Sequence, residues 1–519
     1  MKLEEKNQYL NDALKFHDDG ELDRADELYL AILQIDENDF NANHLHGCIL
    51  SQKKQYDEAI NFILKSLEIN NQNYEANNNL ALAYKNKKEF DKAEEYFHLA
   101  IALNKDDPRA YFNLANLFTE LKDYMKAIDY FQKSFNCDKN FIDAKKSMGE
   151  VYQYLFQKTD KKDYLDDSIN CFYAVLENNP EDIYSLTLLG LAQLWKGDII
   201  KADKYFNKAH KLQCDDKNYL DINIKKVLSN KKCLEVLLKH EYEQLTYIDN
   251  DTDEIRNPKF SRDYYDKLKK LSTSISSDDF DISKISYEFM QSLMKPLYNK
   301  APKNFSNCLI NRVGNIKEIE QNYNKSNPEI GILDNFLTQE ALGDLQKYCR
   351  NANIFKQPYE FGYVGAFLTK GLSNKFFLKL TEDMRTTYPG IFKNHRLTQA
   401  WIFKYDNKRI GTKIHSDQAS INVNFWISPD NANLDVNSGG LVIWDKIPEA
   451  NSRFKEYNSH KASNEMLEFL KTSDTKAFKI PYKENRCIIF NSKLFHCTDV
   501  FHFEESYINR RINVTLLFD

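Results

Sequence analysis

The stretch Gly411-Thr412-Lys413-Ile414-His415-Ser416-Asp417 ends in a histidine and an aspartate that lie two positions apart. At the end of a β-strand, this spacing places both side chains on the same face. An imidazole nitrogen and a carboxylate oxygen lying side by side provide two of the three protein ligands of a metal site. The stretch therefore predicts a metal site at a strand end, with its third ligand supplied by another part of the chain.

A third ligand is available closer to the C-terminus. The apolar run from Cys487 to Phe490 is typical of a buried strand, and His496 follows just past its end. His502 is the alternative, because it is nearer to Arg511, but we prefer His496 because it directly follows the buried strand. Two histidines and one carboxylate on one face of a metal leave three positions open, which suits non-haem Fe(II) and O2.

The last strand carries a possible anion-binding group. Residues 507–518 alternate as a half-buried strand does, with Arg511, Asn513 and Thr515 in the polar phase. An arginine that points into a protein interior is costly unless an anion meets it, and a carboxylate is the natural partner of its planar fork. Arg510 is the alternative, but it falls in the opposite phase. A dicarboxylate that chelates iron at one end and pairs with an arginine at the other is 2-oxoglutarate.

Together, His415-x-Asp417, His496 and Arg511 resemble the signature of the 2-oxoglutarate/Fe(II)-dependent oxygenases. The neighbouring phrases that also match are residues 399–406, 422–426, 438–444 and 490–492. They are similar to oxygenase domains that follow tetratricopeptide repeats. The resemblance implies a C-terminal α+β domain at residues 328–519 with a double-stranded β-helix (jelly roll), in which Tyr405 and Thr515 are candidates to contact 2-oxoglutarate.

Other interpretations of these residues remain open. The histidines could merely satisfy backbone groups of the jelly roll, and Asn424 and Asn491 are more often strand-end hydrogen-bonding residues than cofactor ligands. The gap in sequence between Asp417 and His496 is long and requires an insertion. Two polar, turn-rich segments are candidates for this insertion, Asp430–Asn437 and Glu449–Thr475. The aromatic residues that we assign to the domain core are Trp401, Phe403, Phe425, Trp426 and Trp444.

The first part of the chain is repetitive. Small residues recur with a spacing of 34 at Ala25, Ala59, Ala93 and Ala127. After seven extra residues around 157–163 the series continues at Ser168 and Ala202. Counting that insertion, another small residue lies twelve positions earlier in each unit, at Ala13, Gly47, Ala81, Ala115, Gly149 and Gly190. This period is typical of tetratricopeptide repeats, and it predicts an α-solenoid of six helix pairs over residues 1–216.

Such a solenoid presents a concave groove that usually binds a peptide or protein. Asn11, Asn79 and Asn113 occupy equivalent positions in three repeats, and a row of asparagines could bind an extended peptide backbone. A similar ladder occurs in the repeats of O-linked glycosyltransferases, although we slightly favour solvated groove residues. His44 and His46 are expected to be groove or surface residues, because their spacing on a helix points them apart.

Residues 217–327 are predicted to be a helical capping and linker region. The segment Val227–Leu245 is expected to form a helix that covers the open end of the solenoid, and Asp249–Asp281 to form a loop or linker. A further helix is expected at Ile282–Leu297. The oxygenase-like domain would then open with a short strand near Ile330, followed by a helix whose N-cap is Thr338.

The composition excludes several classes of protein. A length of 519 residues predicts two or three domains, and a net charge of −6 without a basic stripe argues against nucleic-acid binding. Nine scattered cysteines without a C-x-x-C pair indicate a reducing compartment. The chain shows neither a signal peptide nor an apolar run of about 18 residues, so we expect a cytoplasmic protein without a membrane span. The sequence does not indicate the oligomeric state.

The functional prediction is a 2-oxoglutarate- and Fe(II)-dependent dioxygenase that hydroxylates a peptide or protein recruited by the repeats. One alternative is a small-molecule oxygenase that uses its repeats for assembly, and another is a non-catalytic adaptor with a structural jelly roll. DNA demethylation is disfavoured, because that related family carries a second arginine six residues after the first, where this chain has Leu517.

Overall fold

The computed structural model describes residues 3–250, 261–296, 301–302, 307–312, 314–409, 413–449, 466, 468–470 and 474–519. These residues divide into two compact units, Met1–Pro180 and Glu181–Asp519. The division falls inside the predicted solenoid, because five of the six predicted helix pairs lie in the first unit and the sixth lies in the second. No helix in the described part of the chain is long and apolar enough to cross a membrane.

The described part of the first unit consists of ten helices in five antiparallel pairs. They are α1 Leu3–Asp18, α2 Leu22–Ile35, α3 Phe40–Gln52, α4 Tyr56–Ile69, α5 Tyr74–Lys87, α6 Phe90–Leu103, α7 Pro108–Glu120, α8 Tyr124–Cys137, α9 Asp143–Thr159 and α10 Lys162–Asn178. The pairs confirm the helical solenoid that the 34-residue period predicts.

Small residues allow the helices of each pair to approach closely. Ala25, Ala59 and Ala93 are fully buried. At Gly47, an added Cβ would lie 2.6 Å from Cγ1 of Ile63, which is too close for any side chain. The small residues at these positions therefore meet a steric requirement of helix packing.

The second unit contains ten further α-helices in its described residues. They are α11 Ile183–Trp195, α12 Ile199–Asp215, α13 Lys217–Leu228, α14 Lys231–Asn250, α15 Arg262–Ser274, α16 Tyr287–Met294, α17 Ile316–Lys325, α18 Gln339–Asn351, α19 Lys375–Thr387 and α20 Pro389–Phe392. Its strands are β1 Ile330–Leu333, β2 Gln357–Tyr359, β3 Tyr363–Phe367, β4 Leu397–Tyr405, β5 Lys408–Arg409, β6 Ile421–Trp426, β7 Leu441–Trp444, β8 Ala477–Ile480, β9 Cys487–Asn491, β10 His496–Thr498, β11 Phe501–His502 and β12 Ile512–Phe518.

The described strands make this unit sheet-rich and form three antiparallel sheets. The largest has seven strands in the order β1-β9-β6-β12-β4-β3-β2, and the others have the orders β10-β7-β8 and β11-β5. The strand β12 is central, because it pairs with β6 on one side and β4 on the other. Its side chains therefore alternate between the two faces of the large sheet.

Both faces of the large sheet are covered. On one face, Val514 and Leu516 of β12 are fully buried in an apolar cluster with residues of α18 and α19, such as Leu345 and Phe377. We call this the helix-backed face. On the other face, Trp426 packs in a separate cluster with residues of the three-stranded sheet. We call this the inner face, and it carries Arg511, Asn513 and Thr515.

The sixth helix pair contributes to the core of the second unit. The indole Nε1 of Trp195, at the end of α11, donates a hydrogen bond of 2.8 Å to the carbonyl of Leu397 in β4. Ala202 and Phe206 of α12 belong to the apolar cluster of the helix-backed face. The last repeat is therefore part of the same packed body as the sheets.

The connecting region differs from the sequence prediction. Residues 262–274, expected to lie in a loop, form α15, while residues 251–260 of the same segment are outside the described residues. The leucines of α14 that were expected to cover the solenoid end, Leu234, Leu237 and Leu238, cluster with residues of α13, α15 and α16. These leucines pack against neighbouring helices, which the polar composition of this region did not predict.

Candidate metal centre

Three side chains from two distant parts of the chain meet at one point of the second unit. His415, Asp417 and His496 each offer a ligand atom, and these atoms all lie within 4.8 Å of one another. Nε2 of His496 is 3.5 Å from Oδ2 of Asp417, and the two imidazole ring centroids are 4.4 Å apart. This set of two nitrogens and one carboxylate matches the donor types of a non-haem Fe(II) site.

Backbone pairing brings the two segments together. His415 and His496 form an antiparallel bridge in which each amide donates to the other's carbonyl, over 3.0 and 2.9 Å. The amide of Asp417 donates to the carbonyl of Ser492 over 3.1 Å. His496 begins β10, whereas His415 lies in a single bridge outside any longer strand, and residues 411–412 before it are outside the described residues.

Hydrogen bonds orient both imidazoles. Nδ1 of His415 lies 2.7 Å from the carbonyl of Lys413, and Nδ1 of His496 lies 2.9 Å from the carbonyl of Leu494. Because a carbonyl oxygen only accepts, each Nδ1 carries the proton, which leaves the lone pair of a neutral ring on Nε2. A histidine whose far nitrogen is held in this way is oriented to ligate a metal.

The charge states also suit a divalent cation. Burial, and then the neighbouring His496, lowers the pKa of His415, so its neutral form is favoured. Burial acts to raise the pKa of Asp417, but the two imidazoles and the amide of Asn422 outweigh it, and the pKa of this carboxyl is lowered. A carboxylate and neutral imidazoles are the forms that bind a metal ion.

A chain of amide side chains extends from the carboxylate across the inner face. Nδ2 of Asn422 donates to Oδ2 of Asp417 over 2.9 Å, and Nδ2 of Asn424 donates to Oδ1 of Asn422. Oδ1 of Asn424 accepts from Asn513 and from the hydroxyl of Thr515, over 2.9 and 3.0 Å. Asn424 lies inside β6, whereas the sequence analysis expected it at a strand end. The sequence analysis did not predict the role of Asn422.

Arg511 is fully buried on the inner face without an acidic partner in the described part of the chain. Its Nε donates to the carbonyl of Gly439 over 2.7 Å, its Nη2 donates to Gly440 over 3.3 Å, and its Nη1 has no hydrogen-bond partner there. Burial lowers the pKa of Arg511. A buried guanidinium with an unused N–H is a ready site for a carboxylate.

Aromatic rings enclose this guanidinium. Its central carbon lies 4.9 Å from the ring centroid of Tyr405, 5.7 Å from Trp426 and 5.4 Å from Phe501. The Tyr405 side chain hydrogen-bonds to Thr498, which lies two residues after His496 in β10 and so shares its face. Arg511 and Tyr405 are therefore linked to the strand that carries the third candidate metal ligand.

The alternative residues lie elsewhere. Arg510 forms ion pairs of 2.7 Å with Glu243 and 2.9 Å with Asp406, so its charge is already neutralised by protein carboxylates. His502 is exposed on β11, where it pairs with Lys408 of β5. Asn491 donates from its side chain to Glu329. None of the three joins the cluster of His415, Asp417 and His496.

The histidines and asparagines of the repeats are involved in contacts between neighbouring repeats. His44 and His46 are buried, which corrects the expectation of groove or surface residues, and Nδ1 of His46 lies 2.5 Å from Oδ1 of Asp26. Asn79 lies 3.0 Å from Nε2 of His44, and Asn113 donates to Asn78 over 3.0 Å. These two asparagines thus have protein partners within the solenoid.

Comparison with known proteins identifies the repeats. Models of the tetratricopeptide repeat match residues 50–110 and 108–141, so this part of the chain contains such repeats. The comparison with curated proteins found no significant match.

Three solved structures resemble parts of the chain. MamA is 24% identical over 32% of this chain and 94% of its own, with a TM-score of 0.29. The pilF protein of Pseudomonas aeruginosa is 17% identical over 42% and 96%, with a TM-score of 0.36. YrrB, described as a TPR protein with an unusual peptide-binding site, is 20% identical over 37% and 96%, with a TM-score of 0.29.

Proposed function

We propose that this protein is a 2-oxoglutarate- and Fe(II)-dependent oxygenase that hydroxylates a peptide or protein. The observation that carries the proposal is the cluster of His415, Asp417 and His496, in a unit that also buries Arg511 without an ion pair to any described residue. Burying a carboxylate, two imidazoles and a guanidinium without a ligand is costly, so an inert domain has no physical reason to keep them.

The architecture is compatible with a double-stranded β-helix, which we propose for the C-terminal domain. The strands β10-β7-β8 pack through an apolar cluster against the inner face of the large antiparallel sheet. In this arrangement the candidate ligands come from β10 and from the segment before β6. Inner-face groups are then enclosed between two sheets, where the dielectric constant is low and electrostatic interactions are strong.

The residues present fit both implied groups. Fe(II) would be held by Nε2 of His415, Nε2 of His496 and a carboxylate oxygen of Asp417, and the distal carboxylate of 2-oxoglutarate would pair with Arg511. When bound, iron and 2-oxoglutarate supply the oxidising chemistry, in which O2, 2-oxoglutarate and a C–H bond give succinate, CO2 and an alcohol.

The chain itself supplies orientation and exclusion of water. The side-chain amide of Asn422 donates a hydrogen bond to Oδ2 of Asp417, and this hydrogen bond restricts rotation of the carboxylate. The rings of Tyr405, Trp426 and Phe501 shield Arg511 from water, which strengthens its pairing with a carboxylate. The half-buried aromatic residues Trp401 and Phe403 lie on the same face as Asn513 and Thr515, where a substrate side chain could enter.

The repeats support a peptide or protein substrate. Stacked tetratricopeptide repeats form extended concave surfaces that are suited to peptides. A small-molecule substrate would leave this surface without a role in recognition. The repeats would then serve assembly alone.

The full-length protein with added Fe(II), 2-oxoglutarate and ascorbate tests the proposal by the succinate that it forms. We expect His496→Ala to abolish succinate formation and to weaken Mn(II) binding, measured by electron paramagnetic resonance, by at least about 100-fold. The matched control is His502→Ala, which removes an exposed histidine six positions away and should retain both properties. Equal Mn(II) affinity in wild type and His496→Ala would reject the metal site and favour the non-catalytic adaptor.

A further inference from the structure

A cavity in the same unit shares no residue with the candidate metal centre. It comprises about 510 Å³ of empty space, part of it open to solvent, between α12, α13, the end of α16, the hairpin β2-β3 and the turn at Leu368–Leu372 that follows it.

The charges around this cavity are of one sign. Lys295, Lys356 and Lys370 line it, and no aspartate or glutamate is among its lining residues. Glu241 neutralises Lys356 in a buried ion pair of 2.7 Å. Neither Lys295 nor Lys370 forms an ion pair with any residue that the structure describes. The cavity thus combines apolar walls with cations that lack a protein counter-ion.

Lys370 is the best placed of these cations. It lies 5.9 Å from the ring centroid of Tyr219 and 6.0 Å from that of Phe367, both of which line the cavity. It is half-buried, and this burial lowers its pKa. A cation held between two rings and partly removed from water gains most from an anion that enters the same space.

The cavity borders the face that carries the candidate site. Phe367 of β3 pairs in register with Trp401 of β4, which pairs with Thr515 of β12. Residues opposite each other in register point to the same face of a sheet. Two strand spacings, about 10 Å, therefore separate Phe367 from Thr515.

We propose that this cavity is a subsite for an acidic side chain of the substrate peptide. The inference rests on the proposed function and specifies its substrate class. Because an extended peptide advances about 3.3 Å per residue, the acidic residue would lie about three or more positions from the oxidised one. The aliphatic part of a glutamate packs on Leu220, Met294 and Phe367, and its carboxylate meets Lys370.

Binding of matched peptides to the full-length protein tests this subsite. An N-acetylated, C-amidated tetraglutamate is compared with the tetraglutamine of the same length by isothermal titration calorimetry. We expect at least about tenfold tighter binding of tetraglutamate, with a preference that decreases as salt increases. Lys370→Gln should remove the preference, while Lys393→Gln, which changes an exposed lysine outside the cavity, should retain it.

Each outcome separates the subsite from the oxygenase proposal. Equal binding of the two peptides, or a preference that survives in a folded Lys370→Gln variant, overturns the subsite even if succinate is formed. A Lys370-dependent preference that persists in His496→Ala supports the subsite independently of turnover. If glutarate binds as tightly as tetraglutamate and depends equally on Lys370, the site serves a free dicarboxylate and the peptide assignment fails.

Discussion

Two adjacent arginines that directly precede β12 have different surroundings on the two faces of the large sheet. Arg510 and Arg511 are both almost fully buried. On the helix-backed side, Arg510 meets the carboxylates of Glu243 and Asp406. On the inner face, Arg511 meets two carbonyls and aromatic rings and forms no ion pair with a described residue, since Asp499 acts on it only at longer range. Burial alone therefore does not distinguish a structural charge from a ligand-binding one; the presence of a protein counter-ion does.

The polar networks around the two arginines follow the same division. Behind the sheet, Glu241 accepts from Lys356 over 2.7 Å and from Asn353 over 2.9 Å, so its charge is neutralised within the protein. On the inner face, the amide chain from Asn424 and Asn422 ends at Asp417, beside the imidazoles of His415 and His496. In the first network a protein cation neutralises the acid, whereas the second network ends at the candidate metal ligands.

Replacing the two arginines separately gives the largest expected effect. Arg510→Met should destabilise the protein by about 3 kcal/mol, because it removes the buried cation of Glu243 and Asp406 and leaves them only the longer ion pairs with Lys239, of 3.9 and 3.7 Å. Arg511→Met should leave stability unchanged or raise it in the absence of 2-oxoglutarate, because it removes an uncompensated buried charge. Urea unfolding measures both.

A ligand titration completes this comparison. Addition of 2-oxoglutarate with Mn(II) should raise the melting temperature of wild type but not that of Arg511→Met. A loss of stability in Arg511→Met as large as that in Arg510→Met would contradict the assignment of Arg511 to a ligand.

Neighbouring residues of β12 provide a second, smaller contrast between the faces. Leu516→Ala should cost about 2–5 kcal/mol, because Leu516 is fully buried in the cluster of the helix-backed face. Thr515→Val preserves the shape of the side chain and removes two hydrogen bonds, one donated to Asn424 and one accepted from Asn513. These asparagines keep the hydrogen bond between them, so the substitution should cost about 1–2 kcal/mol. Unfolding midpoints in urea compare the two, and a larger loss in Thr515→Val would show that the amide chain is mainly structural.

The smallest effect concerns Lys404, which lies on the helix-backed face 2.8 Å from the hydroxyl of Tyr507. Burial lowers the pKa of Lys404 to about 7. Between pH 7 and about 10 the unfolded chain binds the proton that the folded protein has released, so this group makes stability rise with pH. Below pH 7 both states are protonated, and the cost of burying the charge is fully present.

Lys404→Met should therefore raise the melting temperature by a few degrees at pH 6 and by progressively less as the pH approaches 10. Differential scanning calorimetry at several pH values measures this change. Lys393→Met, at an exposed position, should show no such dependence. A constant difference between wild type and Lys404→Met at every pH would mean that this lysine is not buried as a charge.

Several elements could be predicted from the sequence because their signals are local or periodic. The spacing of Ala25, Ala59 and Ala93 predicted the solenoid, since close helix packing requires a small residue at each of these positions. The alternation around Arg511 predicted that it points to the opposite side from Ile512 and Val514. The Thr338 cap was also predicted, and its side chain accepts from the amide of Ala341.

Other elements depend on contacts between distant residues, which no local pattern contains. Asn422 belongs to the candidate site because Asp417 folds back onto it and accepts its hydrogen bond. The grouping of the sixth helix pair with the sheets depends on Trp195 and Phe206 finding the core of the second unit. The segment around α15 is polar in sequence, so its composition did not predict a helix. The apolar side chains of α15 pack against neighbouring helices.

By itself, the sequence determined the repeat period, the strand phases and the types of side chain available for metal and carboxylate binding, because these follow from spacing along the chain. Only the tertiary structure decided that His496 pairs with His415, that Arg510 has acidic partners and that Arg511 does not. The physical reason is that a charge acquires its role from the groups that surround it after folding, and those groups come from residues far away in sequence.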